Sequence, residues 1–190
     1  MKLVFVPKDS GEKGSAVKKK KTGMSVQKVA LSGLLLAIML ILGYVESLIP
    51  PFVPIPGVKL GLSNGVLLFS LYLLNIPMTL VLMALKVLLS ALMFGNINSM
   101  MFALGGGVLS LLVMIPLSRF KDVSVIVVSM AGAVFHNVGQ VLAAFILMPE
   151  VAPRTLLSYL AVLMAVGLLT GALTGVLARE VLKRMRNFHV

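Results

Sequence analysis

Six apolar stretches follow one another between Val29 and Ala178, and short polar segments rich in proline, glycine, asparagine or basic residues separate them. A helix needs about 20 residues to cross the hydrocarbon core of a bilayer. The second stretch is short for a full crossing, and the others approach or exceed that length. The pattern predicts an all-α integral membrane protein with about six transmembrane helices in one compact bundle.

The polar breaks give the predicted boundaries of the segments. The prolines between residues 50 and 57 cannot continue a helix, and Asn75-Ile76-Pro77 predicts a tight turn. Asn96 and Asn98 are interpreted as turn residues. The predicted segments cover residues 27–49, 61–74, 78–94, 100–117, 123–147 and 156–182.

The basic residues give the orientation in the membrane. Residues 1–28, the loop with Arg119 and Lys121, and residues 179–190 hold fourteen of the seventeen Lys and Arg. Because basic residues concentrate on the cytoplasmic side, both termini are predicted in the cytoplasm. The protein is expected in the plasma membrane. Residues 1–26 would form a basic tail, 27–184 the membrane domain and 185–190 a cytoplasmic end. Aromatic residues do not interleave with the basic runs, so nucleic acid is not expected as a partner.

Composition narrows the possible chemistry. The chain is 59% apolar, contains no cysteine and has six acidic residues. The missing cysteine excludes disulfides and thiolate sites. The acids do not form the carboxylate clusters that hold Mg²⁺ in phosphoryl or prenyl transfer, and the sequence has no P-loop. We therefore expect neither an enzyme nor a resident metal or cofactor.

Small residues recur at helical spacing in the first and sixth segments. They are Gly33 and Ala37, with Ala30 one turn earlier on a neighbouring face, and Gly167, Gly171 and Gly175. Such stripes let helix backbones approach closely in lipid. Two interpretations stay open, namely packing within this protein and docking of a partner membrane subunit.

The densest polar cluster lies in the fifth segment. His136 and Gln140 are four residues apart and share a helix face, while Asn137 is offset by about 100°. Interhelical hydrogen bonding explains such residues, but three of them within five positions favour a patch that faces a ligand. His136 is predicted to face the protein interior, because lipid cannot satisfy its hydrogen bonds.

Two lysines and one acid extend this candidate site. Lys59 precedes the glycine-rich start of the second segment, which carries Asn64, and free backbone N–H groups there favour an anion. The alternative for Lys59 is snorkelling to the interface. Lys86 lies in the middle of the third segment and is predicted to bind an anionic ligand or to pair with Glu46, the single acid within the apolar stretches that end at Ala178. The set predicts a small organic anion with an apolar or aromatic body as the ligand.

Four ordered motifs carry a family resemblance. They are ESLIP at 46–50, PGVKLGLSN at 56–64, ALGGGVLS at 103–110 and GAVFHNVGQ at 132–140. Over residues 27–180 the chain resembles the Gx transporter family, also catalogued as heptaprenyl diphosphate synthase component I. That family is similar to the substrate-binding S components of energy-coupling factor (ECF) transporters.

The resemblance implies a six-helix protein that binds a vitamin-like solute from outside. It also implies docking, through small residues of the first helix, onto a membrane coupling subunit driven by two ATPases. Ala30, Gly33 and Ala37 lie where that docking face would be. The predicted function is the substrate-binding subunit of an ECF-like importer. The alternatives are a membrane accessory subunit of a heptaprenyl or polyprenyl diphosphate synthase, and a structural membrane partner without a ligand.

Overall fold

The computed structural model describes residues 26–48 and 61–187, and these residues form six α-helices. The helices are α1 (Val26–Leu48), α2 (Leu62–Leu73), α3 (Ile76–Phe94), α4 (Ile97–Leu117), α5 (Val125–Leu147) and α6 (Pro153–Asn187). The predicted all-helical bundle is confirmed for this part of the chain. The proline-rich stretch and Lys59 lie outside the described residues.

Side-chain caps explain why α3 and α4 begin where they do. The Asn75 side chain accepts a hydrogen bond from the Met78 backbone N–H at 2.9 Å, and Asn96 does the same for Ser99 at 2.8 Å. Each satisfies a backbone donor that the first turn leaves open. The caps start α3 two residues and α4 three residues before the predicted positions. The prediction of Asn98 as a turn residue is therefore wrong, because this residue lies in the first turn of α4.

The last helix is longer than its apolar pattern predicts. It begins at Pro153, where a proline is tolerated because the first-turn N–H has no intrahelical partner, and continues to Asn187. The predicted end at residue 182 corresponds to the end of the apolar stretch. The basic residues beyond it extend the helix because lysine and arginine are good helix formers.

Length and composition make this a multi-pass membrane protein. Five of the described helices are long and apolar enough to cross a membrane, whereas α2 has only 12 residues. Large apolar side chains such as Leu92, Leu112 and Leu169 point outward from the bundle. In water such a surface would be costly, and in a bilayer it contacts lipid.

Glycines bring α4, α5 and α6 into backbone contact. A Cβ added at Gly105 would lie 2.9 Å from the Gly139 carbonyl oxygen of α5. A Cβ at Gly171 would lie 2.8 Å from the Met130 Cα, and one at Gly175 the same distance from the Ile126 Cα. No side chain fits at these positions, so the stripe on α6 serves packing inside the protein.

The stripe on α1 has the opposite environment. Ala30, Gly33 and Ala37 do not belong to the buried face of α1, and nothing lies within 4 Å of a Cβ added at Gly33. The buried face of α1 is formed instead by residues such as Leu35 and Met39, which pack against α2 and α3. The small residues of α1 therefore form an open surface of the described bundle.

Helix α2 begins deep inside the bundle. Its N-cap residue, Gly61, lies against the ring of His136. A Cβ added at Gly61 would be 3.0 Å from the His136 Cδ2. His136 is the central residue of α5, and its ring also touches Gly106 near the centre of α4. A helix of 12 residues is about 18 Å long. Helix α2 is thus a half-helix whose N-terminus lies at the depth of the bundle centre.

Candidate functional site

A small polar cavity lies where the N-terminus of α2 meets the middle of the bundle. Three helices contribute its charged, imidazole and amide side chains, which are Glu46 of α1, Lys86 of α3, and His136 and Gln140 of α5. All four side chains are at least nine-tenths buried. The remaining described lining residues are Gly43, Gly61, Ser63, Ser90 and Ala103. The open space holds about one water molecule.

The carboxylate of Glu46 caps helix α2. It accepts the Leu62 backbone N–H at 2.6 Å and the Ser63 hydroxyl at 3.1 Å. The N-terminus of a helix carries partial positive charge and unpaired N–H donors, so it favours an anion. The sequence predicts an anion at this helix start, and in the structure Glu46 supplies it. The predicted ligand group would therefore have to share this position with Glu46.

Lys86 brings a positive charge to the same cavity. It lies near the middle of α3 and is only 6% exposed, as is Glu46. Its carbonyl oxygen accepts a hydrogen bond from the Ser90 hydroxyl, another lining residue. Glu46 and Lys86 line the same cavity, and the pairing of the two stays a prediction. A buried lysine at this depth is costly unless anionic or polar groups compensate its charge.

The ring of His136 is wedged between two glycines. A Cβ at Gly106 of α4 would lie 2.6 Å from the His136 Nδ1, and one at Gly61 would lie 3.0 Å from Cδ2 on the other side. Gly61 has φ 83°, a left-handed conformation that favours glycine. Among the described residues, Nδ1 has no hydrogen-bond partner of acceptable geometry. The predicted inward orientation of His136, one turn from Gln140, is confirmed.

Two predicted site residues lie elsewhere. The Asn137 side chain points toward α6, where its Nδ2 donates to the Leu163 carbonyl at 2.6 Å. Asn64 faces a second, smaller cavity between α2, α4, α5 and α6, and its Nδ2 donates to the Ser110 hydroxyl at 3.0 Å. Neither is among the described residues around Lys86. The offset of about 100° between neighbouring helix positions explains why Asn137 separates from His136.

Three residues of the site have small side chains, which makes them hard to recognise as site residues from the sequence. Gly61 and Gly106 shape the pocket for the His136 ring, and Ser63 helps to hold the Glu46 carboxylate. The glycines belong to motifs that the sequence singles out, GLSN at 61–64 and GGG at 105–107. What the sequence lacks is the tertiary contact that joins those motifs through one histidine.

The chain matches the model of a known protein family. The family model described as heptaprenyl diphosphate synthase component I matches residues 35–181, more than three quarters of the chain. The protein belongs to the heptaprenyl diphosphate synthase component I family. The four motifs predicted a resemblance to the family catalogued as heptaprenyl diphosphate synthase component I, and this match confirms it. Neither the curated proteins nor the solved structures contain a significant match to the chain.

The matched region of this family member contains every charged or polar residue of the described cavity. The match from residue 35 to 181 includes Glu46, Lys86, His136 and Gln140. Ala30 and Gly33 of the α1 stripe precede the matched region. The cavity offers an ammonium group, a carboxylate, an imidazole and an amide within a low-dielectric bundle. Electrostatic contacts are strong in such surroundings. This arrangement suits recognition of a polar ligand group.

Proposed function

We propose that this family member is a membrane subunit that binds a small organic solute inside its helix bundle. In this proposal it serves as the substrate-binding subunit of an ECF-like importer in the plasma membrane. The observation that carries the proposal is the meeting of a half-helix N-terminus with buried Lys86, His136 and Gln140 at the bundle centre. Half-helices that end at mid-membrane recur at the binding sites of transporters, where their N-termini point at anionic substrate groups.

The proposed binding mode places an anionic group of the solute near Lys86. The Gln140 amide and the His136 imidazole supply neutral hydrogen-bonding groups beside it. Because the present cavity has room for about one water, the helices that line it must move apart when the solute enters. Domain closure around ligands and small sliding motions of packed helices are known forms of such movement.

The open face of α1 supports a partner in the membrane. Ala30, Gly33 and Ala37 lie off the buried face and leave room for another helix to approach the α1 backbone. Within this protein the α6 glycines show how close such an approach becomes, with the α6 and α5 backbones in contact. We propose that a transmembrane coupling subunit, itself driven by ATPases, covers this face. The protein would then need no ATP-binding motif of its own.

A second candidate function is supported by the family description. Heptaprenyl diphosphate synthase component I names a part of a synthase, so the protein would be a membrane accessory subunit of a prenyl diphosphate synthase. The comparisons favour this alternative over the importer, for which they offer no support. The sequence spacing of the six acidic residues predicts no carboxylate cluster for Mg²⁺, and the described residues contain no group of acids and histidines that could hold a metal ion. The role in that case would be accessory.

Gentle extraction from native membranes tests the importer proposal. Native mass spectrometry of the tagged protein asks which solute and which proteins leave the membrane with it. The importer proposal expects a membrane coupling protein with ATPases and a small bound solute. Recovery of the protein alone, together with solute uptake that ignores ATP depletion, would contradict it.

The synthase alternative has its own readout. Added to a soluble prenyl diphosphate synthase, the purified protein would change the length of the prenyl product. The negative control is the Gly171→Leu variant, which should fail to fold because its α5–α6 packing is disrupted. An effect of the native protein but not of this variant would favour the accessory role. Identical products with and without the protein would exclude it.

A further inference from the structure

We infer that the solute bound beside Lys86 is a zwitterion, with a cationic group near Glu46 as well as an anionic group near Lys86. The inference rests on the proposed solute site and narrows its ligand class. The sequence alone indicates a simple anion because lysines dominate its charged candidates. The position of Glu46 in the structure changes that balance.

The described lining of the cavity contains one charge of each sign. Helix α1 contributes Glu46 and α3 contributes Lys86, while α5 contributes the His136 ring and the Gln140 amide. Gly61, which precedes α2, Ser63 of α2 and Ala103 of α4 add no charge to this lining. A simple anion would add a second negative charge beside Glu46 in a buried site, and a simple cation would add a second positive charge beside Lys86. Buried net charge is costly, whereas a zwitterion adds none.

Glu46 retains hydrogen-bonding capacity for a ligand. An ionised carboxylate has about four lone-pair positions. Among the described residues, the Leu62 N–H and the Ser63 hydroxyl each occupy one of them. A ligand ammonium group can therefore bind Glu46 without breaking the cap of α2. The carboxylate is both the anchor of the half-helix and a selectivity element for the ligand.

Small amino acids and their singly charged analogues test this inference directly. The probes are glycine, β-alanine and γ-aminobutyrate, each with a carboxylate and an amine of matching length: acetate and methylamine, propionate and ethylamine, butyrate and propylamine. The purified full-length protein is melted in detergent with each probe at millimolar concentration. At least one amino acid should bind about tenfold or more tightly than both of its analogues, because it gains a second charge-assisted hydrogen bond.

Two variants assign the selectivity to individual charges. Glu46→Gln should shift the preference toward the carboxylate, and Lys86→Met should shift it toward the amine. Because Glu46 also caps α2, the Lys86 variant keeps the test decisive if Glu46→Gln fails to fold. The matched control is Glu180→Gln on the exposed end of α6, which should keep the preference of the native protein.

Several results would overturn the inference. They are equal stabilisation of the native protein by an amino acid and its carboxylate analogue, no stabilisation by any probe, and an unchanged preference in both site variants. A purely anionic solute in native mass spectrometry would also overturn it, yet would leave solute binding itself intact. Conversely, preferential amino acid binding without a coupling partner would retain the inference and contradict the importer.

Discussion

The imidazole of His136 fits against the backbone of Gly106, so closely that a methyl group on Gly106 would lie 2.6 Å from Nδ1. The ring cannot retreat freely, because Gly61 lies on its other side. One histidine thus fixes the spacing between the middle of α4, the middle of α5 and the start of α2. We expect substitutions at Gly106 to change the geometry of the whole site.

Gly106→Ala should destabilise the protein by about 1–3 kcal/mol, the usual cost of an overpacked position. The added methyl group pushes the His136 ring toward Gly61 or separates α4 from α5. Thermal melting of the purified protein measures the effect. Gly33→Ala is the matched control, because the space around Gly33 is open and alanine is the better helix former. Equal melting temperatures for Gly106→Ala and the native protein would contradict the close contact between Gly106 and the His136 ring.

His136→Ala separates ligand binding from structural support. If His136 contacts the solute, the variant should weaken binding by about 1–3 kcal/mol, the cost of an unmade buried hydrogen bond. The free energy of unfolding of the ligand-free protein should change by less than the free energy of ligand binding changes. A ligand titration is paired with melting of the ligand-free variant. Lower stability with unchanged affinity would make His136 a purely structural bridge.

Asn137→Ala should give the reverse pattern. The Asn137 side chain bonds the Leu163 carbonyl at 2.6 Å and tethers α5 to α6, away from the Lys86 cavity. Loss of this bond should lower stability by about 0.5–1.5 kcal/mol and leave solute affinity unchanged. The same titration and melt measure both quantities. A clear loss of affinity at wild-type stability would place Asn137 in the binding site after all.

The two glycine stripes should respond differently to leucine. Gly33→Leu adds bulk to an open surface, so the protein should fold normally but fail to assemble with its proposed membrane partner. Gly171→Leu forces a large side chain against the α5 backbone and should prevent folding. Size-exclusion chromatography of the purified variants and co-purification from membranes measure the two outcomes. A folded Gly33→Leu protein that still recovers its partner would exclude this face as the docking surface.

Local pattern is sufficient to predict the helices and the burial of His136. Apolar length indicates the membrane-spanning helices, and the cost of a histidine–glutamine pair in lipid places both residues inside. The errors at the starts of α3 and α4 arise from Asn75 and Asn96, because an asparagine between apolar stretches signals a turn and a helix cap equally well.

Tertiary contacts decide what local pattern cannot. The Gly33 and Gly171 stripes have the same spacing, yet one is open and the other contacts a backbone. Likewise, a glutamate near the end of α1 shows no sign in the sequence of capping a helix 16 residues later. Such assignments depend on where two distant segments meet, and spacing within one segment does not contain that information.

The backbone contact between α4 and α5 also constrains how this protein can change over generations. A substitution at Gly105 or Gly139 would have to be matched by a simultaneous shift of two helices, whereas lipid-facing Leu104 and Leu112 can exchange with any apolar residue of similar size. Relatives should therefore drift apart first along their outer surfaces. The residues that stay the same among relatives would include these glycines. Because glycine has no functional group, such an invariant position would reflect helix packing and not a chemical role.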